Sequence, residues 1–108
     1  MGLTGQGPTF KPPKRIRDTG RLGRLASMRC IICDLYGLPQ NSATQVHHCI
    51  HERHGTRRSG DDLTIPLCEG HHLGMFDKSK VALHREPDEW RRLYGDDYEL
   101  IEAVNDRL

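Results

Sequence analysis

The sequence predicts a small α+β domain held together by a metal more than by a large apolar core. Three observations carry this. Cys30-Ile31-Ile32-Cys33 and Cys68-Glu69-Gly70-His71 are two ligand pairs with the spacing of one closed zinc site. Two short β-like stretches, Ala43–His48 and Leu63–Leu67, lie either side of a polar loop rich in Arg and Gly. Helical signals then crowd the C-terminal end. Only 35% of the 108 residues are hydrophobic, so one small domain with tails is expected. A core of that size needs a staple, and a structural metal is one.

Residues 1–29 read as a basic, Gly/Pro-rich and flexible arm. Gly2, Gly5, Gly7, Pro8, Pro12 and Pro13 give linker composition. Seven Lys/Arg against one acid, Asp18, make the arm strongly cationic in a chain of net charge +1. Such an arm suits a polyanion, most simply nucleic acid, and suits a merely solvated tail equally well. Ile16, Leu22 and Leu25 offer it apolar anchors.

Residues 30–85 form the expected core. The first knuckle is followed by a loop, Leu35 to Ser42, around Gly37-Leu38-Pro39. β-branched Thr44 and Val46 support the first strand. His51 to Asp62 reads as a long surface loop, with His51 and His54 at the surface or against DNA. His71 to Phe76 reads as a short helix weakened by Gly74. Residues 86–108 read as helices packed on the core. Pro87 opens a helix that Gly95 stops after Tyr94, with Trp90, Leu93 and Tyr94 on one face. Asp96 and Glu99 form a capping box for a last helix carrying Tyr98, Ile101, Val104 and Leu108.

No apolar run marks a secretory signal or a membrane span, so a cytoplasmic setting is expected. There, Cys-x-x-Cys reads as metal binding or redox chemistry rather than a disulfide. A redox motif would need a βαβ context, which the pattern lacks. Cys30, Cys33, Cys68 and His71 are therefore the expected structural zinc ligands. Cys49, the odd cysteine, reads as a small buried residue.

His47, His48 and His72 remain. A structural zinc needs four ligands, so surplus histidines beside it suggest a second, open metal site. Neighbours on a strand point to opposite faces. His47 and His48 should therefore have different jobs, one on a metal and the other reaching a water. His72, directly after the last zinc ligand, is rigidly placed and could share a metal with His47.

These residues resemble the HNH endonuclease superfamily, with its ββα-metal fold. More closely, they resemble the RecA-dependent nuclease (Ref-like) family of phage and prophage proteins. The likeness lies in Cys30-Ile31-Ile32-Cys33, Val46-His47-His48, the loop with Gly55 and Arg57-Arg58-Ser59, and Leu63-Thr64-Ile65-Pro66-Leu67-Cys68-Glu69-Gly70-His71-His72. It continues in Val81-Ala82-Leu83-His84 and Trp90-Arg91-Arg92-Leu93-Tyr94-Gly95.

The resemblance implies roles. His48 looks like the general base. His47 looks like the first ligand of the catalytic metal, where many relatives carry Asp, and His72 like the second. Superfamily members often place a further His one turn on; here that position is Phe76, so His84 is the candidate third ligand. Asp62 is the preferred carboxylate to orient His48, with Asp61 or plain helix-cap chemistry as the alternatives.

The implied reaction is metal-dependent hydrolysis of DNA by an endonuclease acting with RecA filaments in a bacterial host cell. The catalytic divalent cation is Mg²⁺, Mn²⁺ or Zn²⁺. Lys14, Arg15 and Arg17 of the arm are expected to hold DNA, as are Arg53, Arg57 and Arg58 of the loop, though a solvated charged loop accounts for the latter three equally well. A non-catalytic zinc module that binds nucleic acid is the competing expectation.

Overall fold

The computed structural model describes residues 15–51 and 59–108. The elements run α1 (Thr19–Ala26), α2 (Ile31–Tyr36), β1 (Thr44–His48), β2 (Thr64–Cys68), α3 (Glu69–His72), α4 (Pro87–Tyr94), a 3₁₀ turn (Asp97–Leu100) and α5 (Ile101–Asn105). The fold is small and α+β. Its two strands pair antiparallel, with Thr44 opposite Cys68 and His48 opposite Thr64. That register brings His47 against Ile65.

The strands differ in burial. All five residues of β2 are buried, whereas β1 is mostly half-buried. Each strand of a two-stranded sheet keeps one open edge, so Pro66 costs β2 no ladder bond it needs. Helices cover the sheet, and the core gathers Leu25, Ile31, Ile32, Ile65, Leu67, Leu83, Trp90, Leu100 and Val104. Cys49 is buried, as its type suggested.

The structure corrects the reading of residues 15–29 as a flexible arm. Asp18 caps α1 by accepting from the Arg21 N–H at 2.9 Å. Leu25 and Arg21, one helical turn apart, both turn inward. Arg21 is only 6% exposed. Its guanidinium donates to the Thr64 hydroxyl at 2.9 Å, the Thr64 carbonyl at 2.8 Å and Asn105 Oδ1 at 2.6 Å. Arg21, one of the cations of the basic stretch, is thus a strut joining α1, β2 and α5. Residues 1–14 lie outside the described residues.

Two further elements differ from expectation. The first knuckle continues as α2 to Tyr36, because Ile31 and Ile32 are buried on the sheet. Gly37 ends it in the left-handed region at φ 63°, and the Leu38 N–H closes on the Cys33 carbonyl at 2.8 Å. The helix expected from His71 to Phe76 is instead the four residues of α3.

The C-terminal elements agree more closely. Pro87 stands at the start of α4, and Gly95 follows its last residue. Both bonds of the Asp96–Glu99 capping box form, although the first turn they cap is 3₁₀. Leu93 and Leu108 stay exposed rather than joining the core. Among the described residues, no helix is long and apolar enough to cross a membrane.

Candidate metal centres

Cys30 stands at the N-cap of α2 and Cys33 within it, Cys68 ends β2, and His71 lies in α3. All four are buried and converge. His71 Nδ1 lies 3.5 Å from Cys30 Sγ, 3.6 Å from Cys33 Sγ and 3.3 Å from Cys68 Sγ, with 4.0 Å between the Sγ atoms of Cys33 and Cys68. A tetrahedron with Zn–S near 2.3 Å and Zn–N near 2.05 Å has edges of about 3.5–3.8 Å. The donors thus fit a four-coordinate, closed site.

Hydrogen bonding from Cys30 pulls the Cys68 thiol down to about 3, and the same contact, with burial, pushes the Cys30 thiol up. The thiols share protons that a divalent cation would displace. On the far side of the ring, His71 Nε2 lies 3.4 Å from the Tyr94 hydroxyl, which holds the ring from behind.

The second cluster rests on strand alternation. His47 turns into the protein and is buried, while His48 leaves the other face. His47 Nε2 donates to Asp97 Oδ2 at 2.8 Å. His72 Nδ1 donates to Gln45 Oε1 at 2.7 Å. Each acceptor fixes one ring nitrogen of its histidine as the donor, so in the neutral rings the other nitrogen is the one left to bind. These two atoms, His47 Nδ1 and His72 Nε2, face each other at 3.2 Å.

Two ring nitrogens this close need a shared proton or a metal cation between them, and tetrahedral Zn–N bonds would set them about 3.3 Å apart. The His84 ring completes the group, its centroid 5.5 Å from that of His47 and 5.0 Å from that of His72. One nitrogen from each of the three rings lies within 4.8 Å of the others, so the trio could hold a metal. Burial, helped by the neighbouring rings of His47 and His84, lowers His72 to about 4 and keeps it neutral. Phe76 turns outward and takes no part.

Asp97 is the hub behind this cluster. It is fully buried, and Oδ2 also accepts the Ile50 N–H at 2.8 Å while Oδ1 accepts the His51 N–H at 3.2 Å. Burial pushes its carboxyl up, but the bonds from His47 and Ile50 outweigh this and hold it below the usual range. His51, expected at the surface or against DNA, instead accepts the Asp97 N–H on Nδ1 at 2.7 Å and lies beside Trp90. That bond needs a neutral ring, and burial lowers His51 accordingly.

His48 has a different carboxylate from the preferred one. Its Nε2 donates to Asp61 Oδ1 at 2.9 Å, leaving the Nδ1 lone pair, while Asp62 is exposed. The reason is local. The Asp61 N–H binds the Ile16 carbonyl at 2.8 Å and Asp61 Oδ2 accepts the Asp18 N–H at 2.8 Å. These bonds turn residue 61 inward and its neighbour outward. His48 and Asp61 line a cleft of about 220 Å³ together with Arg15 and Arg17. Lys14, Arg53, His54, Arg57 and Arg58 lie outside the described residues.

Asp97 and Gln45 carried no signal in the sequence. Asp97 sits beside the capping Asp96 and reads as helix-start chemistry, and Gln45 as a polar strand residue.

The model of a family described as "Recombination enhancement, RecA-dependent nuclease" matches residues 17–108. No curated protein and no solved structure gives a significant match.

Proposed function

The chain belongs to the RecA-dependent nuclease family of recombination enhancement, and we propose that it is a metal-dependent DNA endonuclease of HNH type, of phage or prophage origin, that acts with RecA filaments. The family description names a nuclease and a RecA link. The observation that carries the finer reading is the convergence of His47, His72 and His84, with facing nitrogens of the first two 3.2 Å apart and the other nitrogen of each held by its own acceptor. A structural knuckle alone has no need of them.

In this reading Cys30, Cys33, Cys68 and His71 hold a structural Zn²⁺ that ties α2 to the end of β2. His47, His72 and His84 hold a second divalent cation. Such an ion, when bound, supplies positive charge to a scissile phosphate and to the oxygen that leaves it. Asp97 and Gln45 keep the ligating nitrogens deprotonated and aimed. His48, held through Nε2 by Asp61, uses Nδ1 to take the proton of the attacking water. Arg15 and Arg17 grip the backbone beside it.

His47 and His48 leave opposite faces, but the Cα atoms of consecutive residues are about 3.8 Å apart. A phosphodiester lying across the strand edge can meet both. The products carry 5′-phosphate and 3′-hydroxyl ends.

The test uses the full chain and its His48→Ala variant. Metal content and DNA cleavage are measured with Mg²⁺ or Mn²⁺, with and without RecA and single-stranded DNA. The wild type should cut and His48→Ala should retain its zinc yet cut at least about 100-fold more slowly. A wild type that binds DNA but cuts under no condition leaves the non-catalytic zinc module standing. Undiminished cutting by His48→Ala removes it as the base.

A further inference from the structure

The loop between α3 and α4 spends a buried carboxylate on holding two large apolar side chains in solvent. Phe76 is 86% exposed and Met75 64%. Single exposed apolar residues are ordinary. What distinguishes this pair is the rigidity beneath it. Glu69, itself buried, accepts the N–H groups of Met75 at 2.7 Å, Phe76 at 3.3 Å and Asp77 at 2.8 Å. Gly74 turns the chain at φ 64°, where an added Cβ would meet that of Ala82 at 2.5 Å. Arg85 binds the carbonyls of Gly74 and Lys80. The tip therefore cannot fold back to hide its apolar surface.

Its position matters as much as its stiffness. The loop leaves directly from His72 and returns through His84, whose N–H binds the His72 carbonyl at 3.0 Å. Both ends of the loop thus lie in the histidine trio. The carboxylates nearest the tip are already engaged, Glu69 of α3 by backbone N–H groups and Asp77 by Ser42 and Ser79. Toward solvent the tip offers Met75, Phe76 and the exposed Lys78. Apolar side chains flanked by a cation suit stacked nucleobases with phosphates alongside.

We propose that Met75 and Phe76 form a wedge that enters the base stack of DNA beside the histidine trio and holds the strand in register with it. The wedge rests on the nuclease reading only for the identity of its neighbour, since unstacking is read without cleavage. The loop's own hydrogen bonds are made before DNA arrives, so insertion costs unstacking but little ordering of the protein.

The experiment uses the full chain with non-cleavable phosphorothioate duplexes carrying 2-aminopurine at successive positions. Wild type should raise the fluorescence at one or two adjacent positions. Phe76→Ala should abolish that rise and weaken binding about tenfold, the loss of one stacked base. Its thermal unfolding and metal content should not change, because the side chain is in solvent. Phe76→Trp should restore the rise.

The same fluorescence from Phe76→Ala as from wild type overturns the wedge. So does a Phe76→Ala chain that keeps the signal but loses its hold on RecA filaments or on a second copy of itself. Cleavage of an ordinary duplex, measured in parallel, keeps the two ideas apart. Cutting without unstacking removes the wedge and leaves the nuclease, whereas unstacking lost in Phe76→Ala without any cutting leaves the wedge and removes the nuclease.

Discussion

A histidine can serve a metal only through a nitrogen that has lost its proton, and at the trio this condition is imposed by residues that touch no metal. Asp97 takes the proton side of His47, and Gln45 that of His72. Asp97→Asn turns one acceptor oxygen into a donor. The affinity of the histidine site for Zn²⁺ or Mn²⁺ should then fall about 10–100-fold, while metal binding by the Cys₃His cluster should not change. A competitive metal titration of the folded variant reads this directly, and wild-type affinity would show that Asp97 does not position His47. At the other histidine the question is which of two adjacent carboxylates matters. Asp61 binds His48 Nε2 at 2.9 Å and Asp62 points to solvent. Asp61→Ala should slow cleavage about 100-fold, with Asp62→Ala near wild type. Equal losses in the two would mean that charge near the cleft, not orientation, is what counts.

Among the elements, α1 depends most on partners distant in sequence. Its eight residues include two glycines, so it has little helical stability of its own. Leu25 packs into the core, and Arg21 joins it to β2 and α5 through three hydrogen bonds. Arg21→Met keeps most of the apolar stem but removes those bonds, leaving the Thr64 carbonyl and Asn105 without them. The expected loss is about 3 kcal/mol, read from the urea midpoint. Amide hydrogen exchange should show faster opening in α1 than in α4. An unchanged midpoint would demote Arg21 to a surface cation that happens to lie close. The helix also carries the backbone of Asp18, which binds Asp61, so loosening α1 should blunt His48 as well.

For the whole molecule, the Cys₃His cluster with a metal bound would replace what a larger core does. It draws α2, the end of β2 and α3 to one point, and Trp90 and Tyr94 of α4 stack edge-to-face behind it. Metal binding of this type is folding free energy. A strong chelator should abolish cooperative thermal unfolding of the whole domain, and Cys33→Ser should do the same without chelator. Retention of a sharp transition in the zinc-free chain would mean that the apolar core suffices alone. Much of this architecture was legible beforehand: both ligand pairs, the two strands within a residue, α4 with its Pro and Gly ends, and the capping box. Helix α2, which takes Leu35 and Tyr36 from the loop expected there, was not, because Ile31 and Ile32 gain from burial that only the sheet provides. Nor was α1, whose local composition reads as arm.

Spacing along the chain determined which side chains could chelate together, since Cys-x-x-Cys and Cys-x-x-His depend on one turn of backbone. Strand alternation likewise assigns His47 and His48 to different faces from sequence alone. The tertiary structure alone decided which acceptors complete them. Asp97 reaches His47 across 50 residues and Asp61 reaches His48 across 13. Arg21 reaches Thr64 across 43. Partners at such separations leave no periodicity in a sequence, because folding, not local geometry, brings their backbones together.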